Sequence, residues 1–290
     1  RDIVFCGVFF MAETAAMLAG PGQRVHIPAP DAACVMSEMA PAALVETVLD
    51  RLAAAGRDVL PLTYVNSSAA VKAVVGARGG SVCTSANAGK MLRWALDQGR
   101  GVLFLPDKML GQNTCDALGV PVEKRCILDV RGGGKRLDLE AAARAEVLFW
   151  PGQCVIHSRF KARDIAAVRA AHPGVKVVVH PECAPETVKA ADAAGSTSFI
   201  IKYVAEAPAG AEIVIGTEIN LVSRLARRYQ GEKTIRPLCV SGCSNMAKGT
   251  EENLLAKLET LDTAAPVTVP EDVRGPATAA VAKMLEVSAR

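Results

Sequence analysis

The sequence predicts an α/β protein whose parallel sheets are covered on both faces by helices. Three observations carry that expectation. Short, continuous apolar runs of strand length recur along the chain, they alternate with amphipathic stretches, and small polar clusters sit where the runs end. A strand buried on both faces reads as continuously apolar, and strand-then-helix alternation favours parallel pairing with right-handed crossovers.

Strands are expected at 3–8, 25–28, 59–65, 102–105, 126–130, 147–150, 175–180, 198–204 and 212–215. Amphipathic helices are expected between them, at 41–55, 88–98, 160–171 and 185–194. Residues 123–146 read as an additional strand, loop and helix. Within that segment RGGGKR (131–136) lacks the spacing and the Ser/Thr of a phosphate loop and reads as an exposed turn. Near the carboxyl end, Pro270 is placed to open a helical turn, and Gly275 with Pro276 predicts a break before the last helix.

Composition narrows the function classes. The chain has 290 residues, half of them hydrophobic and 4% aromatic, enough to fill the cores of two or three packed units. A net charge of +3, with acids and bases nearly balanced, is not the basic stripe of a nucleic-acid binder. The longest apolar runs are too short to cross a bilayer, so no membrane partner is expected. The stretch IVFCGVFF after Arg1 is read as a strand rather than a signal peptide, because Asp2 and Glu13 interrupt the pattern and no small-residue cleavage site follows. A chain that opens on Arg inside a strand is expected to have its true start upstream. Nine cysteines, an odd number, without a secretory signal point to reduced thiols in the cytoplasm rather than to a disulfide framework.

The cysteines sort by context. Cys6 and Cys126 lie in apolar strand patterns and are expected in the core, and Cys115 in a helical pattern is expected to be structural. Cys83 and Cys183 stand near polar strand ends and are placed to line a site. Cys34, Cys154 and Cys243 lie in loops with flexible neighbours: PDAACVMSEM, WPGQCVIH and SGCSNM. Three dispersed loop thiolates suit a [4Fe–4S] cluster with one iron left open, or zinc; unrelated loop cysteines remain an equal alternative at this point.

The polar clusters are TYVNSSA (63–69), TSANA (84–88), PGQCVIH (151–157), HPEC (180–183), GSTS (195–198) and GTEIN (216–220). They fall at carboxyl ends of strands, where α/β proteins gather their chemistry. Several lead into helices, whose first-turn N–H groups hold carboxylates or phosphates. Ser85, Thr197 and Thr217 read either as helix N-caps or as anion-binding residues. Tyr64, His180 and Glu182 are acid–base candidates by type and position, set against packing, hydrogen-bonding and solvated-turn roles. His157, three residues after Cys154, is placed to support that loop or to sit as a satisfied buried histidine. Lys108 and Lys202 read as solvated surface residues.

GVFFMAETAAML, PDAACVMSEM, TYVNSSAAVKA, CTSANA, FLPDKMLG, WPGQCVIHSRF, HPECAPETV, GSTSFIIKYV and GTEINLVSRLA stand in the order seen in quinolinate synthases. By these motifs the chain resembles that family over nearly its whole length. The resemblance implies three similar three-layer αβα domains with parallel sheets, in pseudo-threefold arrangement around a central [4Fe–4S] cluster. It implies a first domain of residues 1–35 plus 245–290, truncated at its amino end, a second of 36–154 with an insertion near 123–146, and a third of 155–244. Each domain would give one cluster ligand: Cys34, Cys154 and Cys243. Cys243 is preferred to Cys239 because the family's ligand precedes a Met by three positions and Met246 fits, although the family carries a tighter cysteine cluster there.

The resemblance also implies condensation of iminoaspartate with dihydroxyacetone phosphate to quinolinate, with loss of phosphate and two waters, in NAD biosynthesis. Tyr64, Val65, Asn66, Ser85, His180, Pro181, Glu182 and Thr197 would bind substrate. Glu182 would act as general base and acid, helped by Tyr64 and His180. A transient contact with the enzyme that oxidises L-aspartate and supplies iminoaspartate is a further implication. The family's upstream His and Tyr strand-end motif, and a Ser beyond it, are absent from this chain, which would leave it inactive if nothing precedes Arg1. The alternative is a non-catalytic iron–sulfur or redox-sensing protein, holding a cluster without turnover. A nucleotide-binding enzyme lacks its G-x-G-x-x-G turn here, and a zinc hydrolase lacks its histidine spacing.

Overall fold

The computed structural model describes residues 1–289. The apolar runs become strands and the amphipathic stretches become helices, in this order: β1 (Asp2–Val4), α1 (Phe9–Leu18), β2 (Arg24–His26), α2 (Val35–Glu38), α3 (Ala42–Ala54), β3 (Val59–Tyr64), α4 (Ala69–Ala77), β4 (Ser81–Cys83), α5 (Ala88–Leu96), β5 (Gly101–Leu105), α6 (Lys108–Leu118), β6 (Arg125–Ile127), α7 (Leu139–Arg144) and β7 (Val147–Phe149). Then follow α8 (Ala162–Ala171), β8 (Lys176–Val179), α9 (Pro185–Ala190), β9 (Ala193–Ala194), α10 (Thr197–Glu206), β10 (Glu212–Gly216), α11 (Ile219–Arg228), β11 (Thr234–Pro237), α12 (Glu251–Glu259) and α13 (Glu271–Ala289). The strands form three parallel sheets flanked by helices, as the sequence predicts.

Two compact units divide the chain. The first comprises residues 1–108, 120–152 and 244–290 and holds the pair β1–β2 and a five-stranded sheet in the order β4-β3-β5-β7-β6. β3 is buried along its whole length, which is why its sequence VLPLTY carries no polar alternation. Register pairs Tyr64 with Cys83, so the loops that follow β3 and β4 leave the sheet side by side. α13 lies against α4 where Gly76 leaves room: a Cβ there would stand 2.0 Å from the carbonyl oxygen of Pro276. α13 is fastened further by hydrogen bonds from Ser81 Oγ to the Ala280 carbonyl (3.2 Å) and from Asn87 Nδ2 to Ser288 Oγ (2.9 Å).

The second unit comprises residues 109–119 and 153–243, with a four-stranded sheet ordered β11-β10-β8-β9. Alternate residues serve opposite faces. Val178, Ile213 and Ile215 pack with Ile200, Val204 and Leu225 on one side. Val177, Val179 and Val214 pack with Phe160, Ile165 and Leu238 on the other.

Some expectations are corrected. Residues 198–204 form part of helix α10, not a strand. Their β-branched and aromatic content suggested a strand, but Ser196 caps the segment by accepting from Phe199 N–H (3.3 Å), and Ile200 and Val204 bury one face at helical spacing. The helix expected at 185–194 stops at Ala190 because the chain then enters β9. No break separates Gly275 and Pro276 from the last helix, since α13 runs through both. Pro276 has no N–H for the carbonyl of Asp272, an exposed residue in the first turn, where water can serve instead. Cys6 is exposed rather than in the core, because β1 ends two residues earlier. The segment 123–146 does contain a strand and a helix, joined through a turn in which Gly132, Gly133 and Gly134 take positive φ.

Candidate functional site

In the second unit the predicted polar clusters follow successive strands at one edge of the sheet. β8 leads into His180, Pro181 and Glu182, β9 into Ser196 and Thr197, and β10 into Thr217 and Glu218. Backbone bonds from His180 N–H to the Gly216 carbonyl (3.1 Å) and from Gly195 N–H to the Val179 carbonyl (3.1 Å) keep these exits in line. The turn after β8 is clamped by Asn113 of α6, whose Nδ2 donates to the carbonyls of Pro181 and Cys183 at 2.7 Å each.

His157 stands at the centre of this edge. It follows Cys154 in a short 3-10 turn and is buried. Its Nδ1 lies 2.8 Å from Glu182 Oε2 and its Nε2 lies 3.1 Å from Thr217 Oγ1. The tautomer that donates Nδ1–H to the Glu182 carboxylate leaves Nε2 to accept the Thr217 hydroxyl proton. The His180 ring stacks on it, with centroids 4.3 Å apart and planes 14° from parallel. Burial lowers the His180 pKa to about 4, against the opposing pull of Glu182, so this imidazole is neutral at pH 7. Glu182 N–H donates to His180 Nδ1 (3.3 Å), which places the proton of the neutral ring on Nε2. The edge therefore offers a buried carboxylate and a neutral imidazole N–H.

Cys154 is half-buried beside this network. Its Sγ, a His157 ring nitrogen and a Glu182 oxygen all lie within 4.8 Å of one another, a grouping able to hold a metal ion. Cys243 is half-buried in the loop after β11, and its N–H donates to Glu218 Oε1 (3.3 Å). Ser241 ties that loop to the Cys154 loop through a bond from Oγ to the Ile156 carbonyl (3.1 Å). Cys239 packs against the apolar cluster around Phe160, and burial pushes its thiol pKa up. Cys183 is wholly buried in the same cluster, so it lines the core rather than a site.

In the first unit Cys34 is half-buried, at the N-cap position of α2, against Val8, Phe10, Ala29 and Ala32. Tyr64 ends β3 and is nearly buried, and Val65 and Asn66 follow half-buried. Ser85 is half-buried in the turn between β4 and α5. That turn is ordered by Asn87, whose Oδ1 accepts from the Thr84 N–H (2.6 Å) and hydroxyl (3.0 Å). Cys83 is fully buried, and burial pushes its thiol pKa strongly upward, which suits packing. No cysteine is disulfide-bonded among the described residues.

The N-cap positions stand one or two residues away from the expected ones. Ser196 caps α10 and Thr197 is the exposed first residue of that helix. Glu218 caps α11 by accepting from Asn220 N–H (2.8 Å), which releases Thr217 to meet His157. Ser85 lies two residues before the N-cap Asn87. Ser241 and Asn113 are supporting residues that spacing alone does not single out, and Thr217, expected as a cap or an anion-binding residue, instead meets His157. Lys202 is exposed and pairs with Glu206 on its own helix.

Among the described residues no helix is long and apolar enough to cross a membrane. The family model described as Quinolinate synthetase A protein matches residues 1–286. A protein named quinolinate synthase from Acidobacterium capsulatum is 42% identical over 99% of this chain and 79% of its own length. One of the same name from Corynebacterium glutamicum is 43% identical over 98% of this chain and 74% of its own length. A third, from Streptomyces coelicolor, is 44% identical over 89% of this chain and 67% of its own length.

Proposed function

The chain belongs to the quinolinate synthase family, and we propose that it makes quinolinate for NAD biosynthesis by condensing iminoaspartate with dihydroxyacetone phosphate. Phosphate and two waters leave as the ring closes. Cytoplasmic action, with iminoaspartate handed over by an enzyme that oxidises L-aspartate, goes with this reading.

The donor set fits a [4Fe–4S] cluster held by Cys34, Cys154 and Cys243. All three are half-buried loop thiols outside any disulfide, and soft thiolates suit iron–sulfur ligation. Cys243 is preferred to Cys239 on the motif, since Met246 stands three positions after it. Both ring nitrogens of His157 already have partners, which favours its supporting Glu182 beside Cys154 over its joining Cys154 as a ligand. Held by these three thiolates, such a cluster would supply Lewis-acid chemistry toward a carboxylate or hydroxyl oxygen.

The rest of the chemistry falls to the chain's own groups. Glu182, held by His157, accepts and returns protons at Oε1 or Oε2 during condensation and dehydration. His180 donates from Nε2 to a substrate oxygen and is kept neutral by burial. By the family's motifs, Tyr64, Val65, Asn66, Ser85, Pro181 and Thr197 are the remaining proposed substrate contacts, with Tyr64 assisting proton transfer and Ser85 and Thr197 meeting substrate charge. The observation that carries this reading is the buried Glu182–His157–Thr217 chain stacked on His180, inside the motifs that mark the family.

Purification without oxygen, iron and sulfide analysis, and an assay for quinolinate test it. Four irons and four sulfides per chain with quinolinate formation are expected. A full cluster with no turnover in the full-length protein would instead favour an iron–sulfur or redox-sensing role.

A further inference from the structure

Lys72 is a charged residue with no exposed surface, on a helix that carries none of the proposed chemistry. Its Nζ donates to the carbonyl of Val65 (3.0 Å) and to the carbonyl of Ser67. The same turn is closed by Ser67 N–H donating to the Val65 carbonyl (2.8 Å) and Ser67 Oγ donating to the Tyr64 carbonyl (2.9 Å). Two carbonyls of the turn, one on each side of Asn66, thus face inward onto one ammonium. From the other side, Nζ lies 5.6 Å from the centre of the Phe10 ring. Glu13 of α1 is the nearby opposing charge, and its Oε2 accepts from the N–H of Ala69, the first residue of α4.

Burying an ammonium is costly unless its donors are used. Burial lowers the Lys72 pKa to about 8, with Glu13 pulling the other way, so the charged form still prevails at neutral pH. An apolar side chain of similar length would fill the same space and leave the two carbonyls without this donor. What the lysine adds over such a side chain is therefore the fixed shape of residues 65–67.

We infer that Lys72 is a positioning residue for the substrate contact at Asn66, acting by fastening the Val65–Asn66–Ser67 turn from beneath through its two inner carbonyls. This inference rests on the reading of Asn66 as a substrate-holding residue, and two independent measurements separate the two.

The first is amide hydrogen exchange in Lys72→Met, prepared without oxygen and with its iron in place. Exchange at residues 65–68 is expected to accelerate at least about tenfold, roughly what losing one hydrogen bond allows, while strand residues 59–64 stay protected. The second is quinolinate binding by calorimetry in Lys72→Met, Asn66→Ala and the double variant. Each single variant is expected to weaken binding about tenfold, and the double variant to be no weaker than Asn66→Ala alone, because one residue acts through the other. Should Lys72→Met fail to fold, Lys72→Gln, which is shorter and reaches at most one carbonyl, undergoes the same measurements with the same expectation.

Wild-type protection at 65–68 in the folded variant would overturn the inference. So would losses of binding that simply multiply in the double variant. If Asn66→Ala binds quinolinate normally, the role of Asn66 falls, and the exchange data alone decide whether Lys72 holds the turn.

Discussion

Nδ1 of His157 and Oε2 of Glu182 stand 2.8 Å apart with both side chains almost out of solvent. The bond fixes the carboxylate and fills one of its acceptor positions. Replacing Glu182 by Gln keeps the shape and removes the proton acceptor. Iron content is expected to stay at the wild-type level while turnover falls on the order of a hundredfold or more. Normal turnover in Glu182→Gln would remove it from the chemistry. His157→Phe takes one donor from a buried carboxylate. A loss of about 1–3 kcal/mol in denaturant-induced unfolding is expected, and an unchanged midpoint would show that the bond contributes nothing.

Cys34→Ala, Cys154→Ala and Cys243→Ala are each expected to lose the cluster, read as iron and sulfide per chain and as visible absorbance. Cys126→Ala and Cys239→Ala are expected to keep it. A full cluster in Cys243→Ala with none in Cys239→Ala would transfer the third ligand to Cys239.

The contact between Gly76 and the Pro276 carbonyl has no room for a methyl group. Gly76→Ala must push α13 away from α4 and disturb the bonds that follow it to Ser81 and Asn87. A stability loss of about 1–3 kcal/mol is expected despite the better helix propensity of Ala. A variant as stable as wild type, or more so, would mean the helices separate at no cost.

Lys72 should make stability depend on alkaline pH. Below about 8 the group is charged in both folded and unfolded chains, and the folded state bears the burial penalty, on the order of 3 kcal/mol for a displacement from 10.5 to about 8. Between those values the unfolded chain binds more protons than the folded one, so unfolding free energy rises with pH. Wild type should therefore gain on Lys72→Met as urea unfolding is moved from pH 7.5 to pH 10. A constant gap between the two would show that Lys72 titrates normally.

What was legible in the sequence followed from local pattern. The strands Val59–Tyr64, Gly101–Leu105 and Val147–Phe149 are continuous apolar runs buried throughout, and such runs have one good solution in an α/β sheet. The positions of Glu182 and His180 at a strand end were legible for the same reason. The segment 198–204 misled because its composition suits a strand while its capping serine and buried i, i+4 pair suit a helix. The partnership of His157 with Glu182 and Thr217 spans 25 and 60 residues, so no local spacing encodes it. Lys72 was illegible as a special residue, because only the folded chain turns two carbonyls toward it.

The outer strands of the four-stranded sheet have a consequence for association. β9 is only two residues long, and β11 closes on Pro237 after an outward-facing Arg236. A stub on one flank and a proline beside a charge on the other give a foreign strand little to zip onto. The sheet is thus guarded against runaway growth into fibrils.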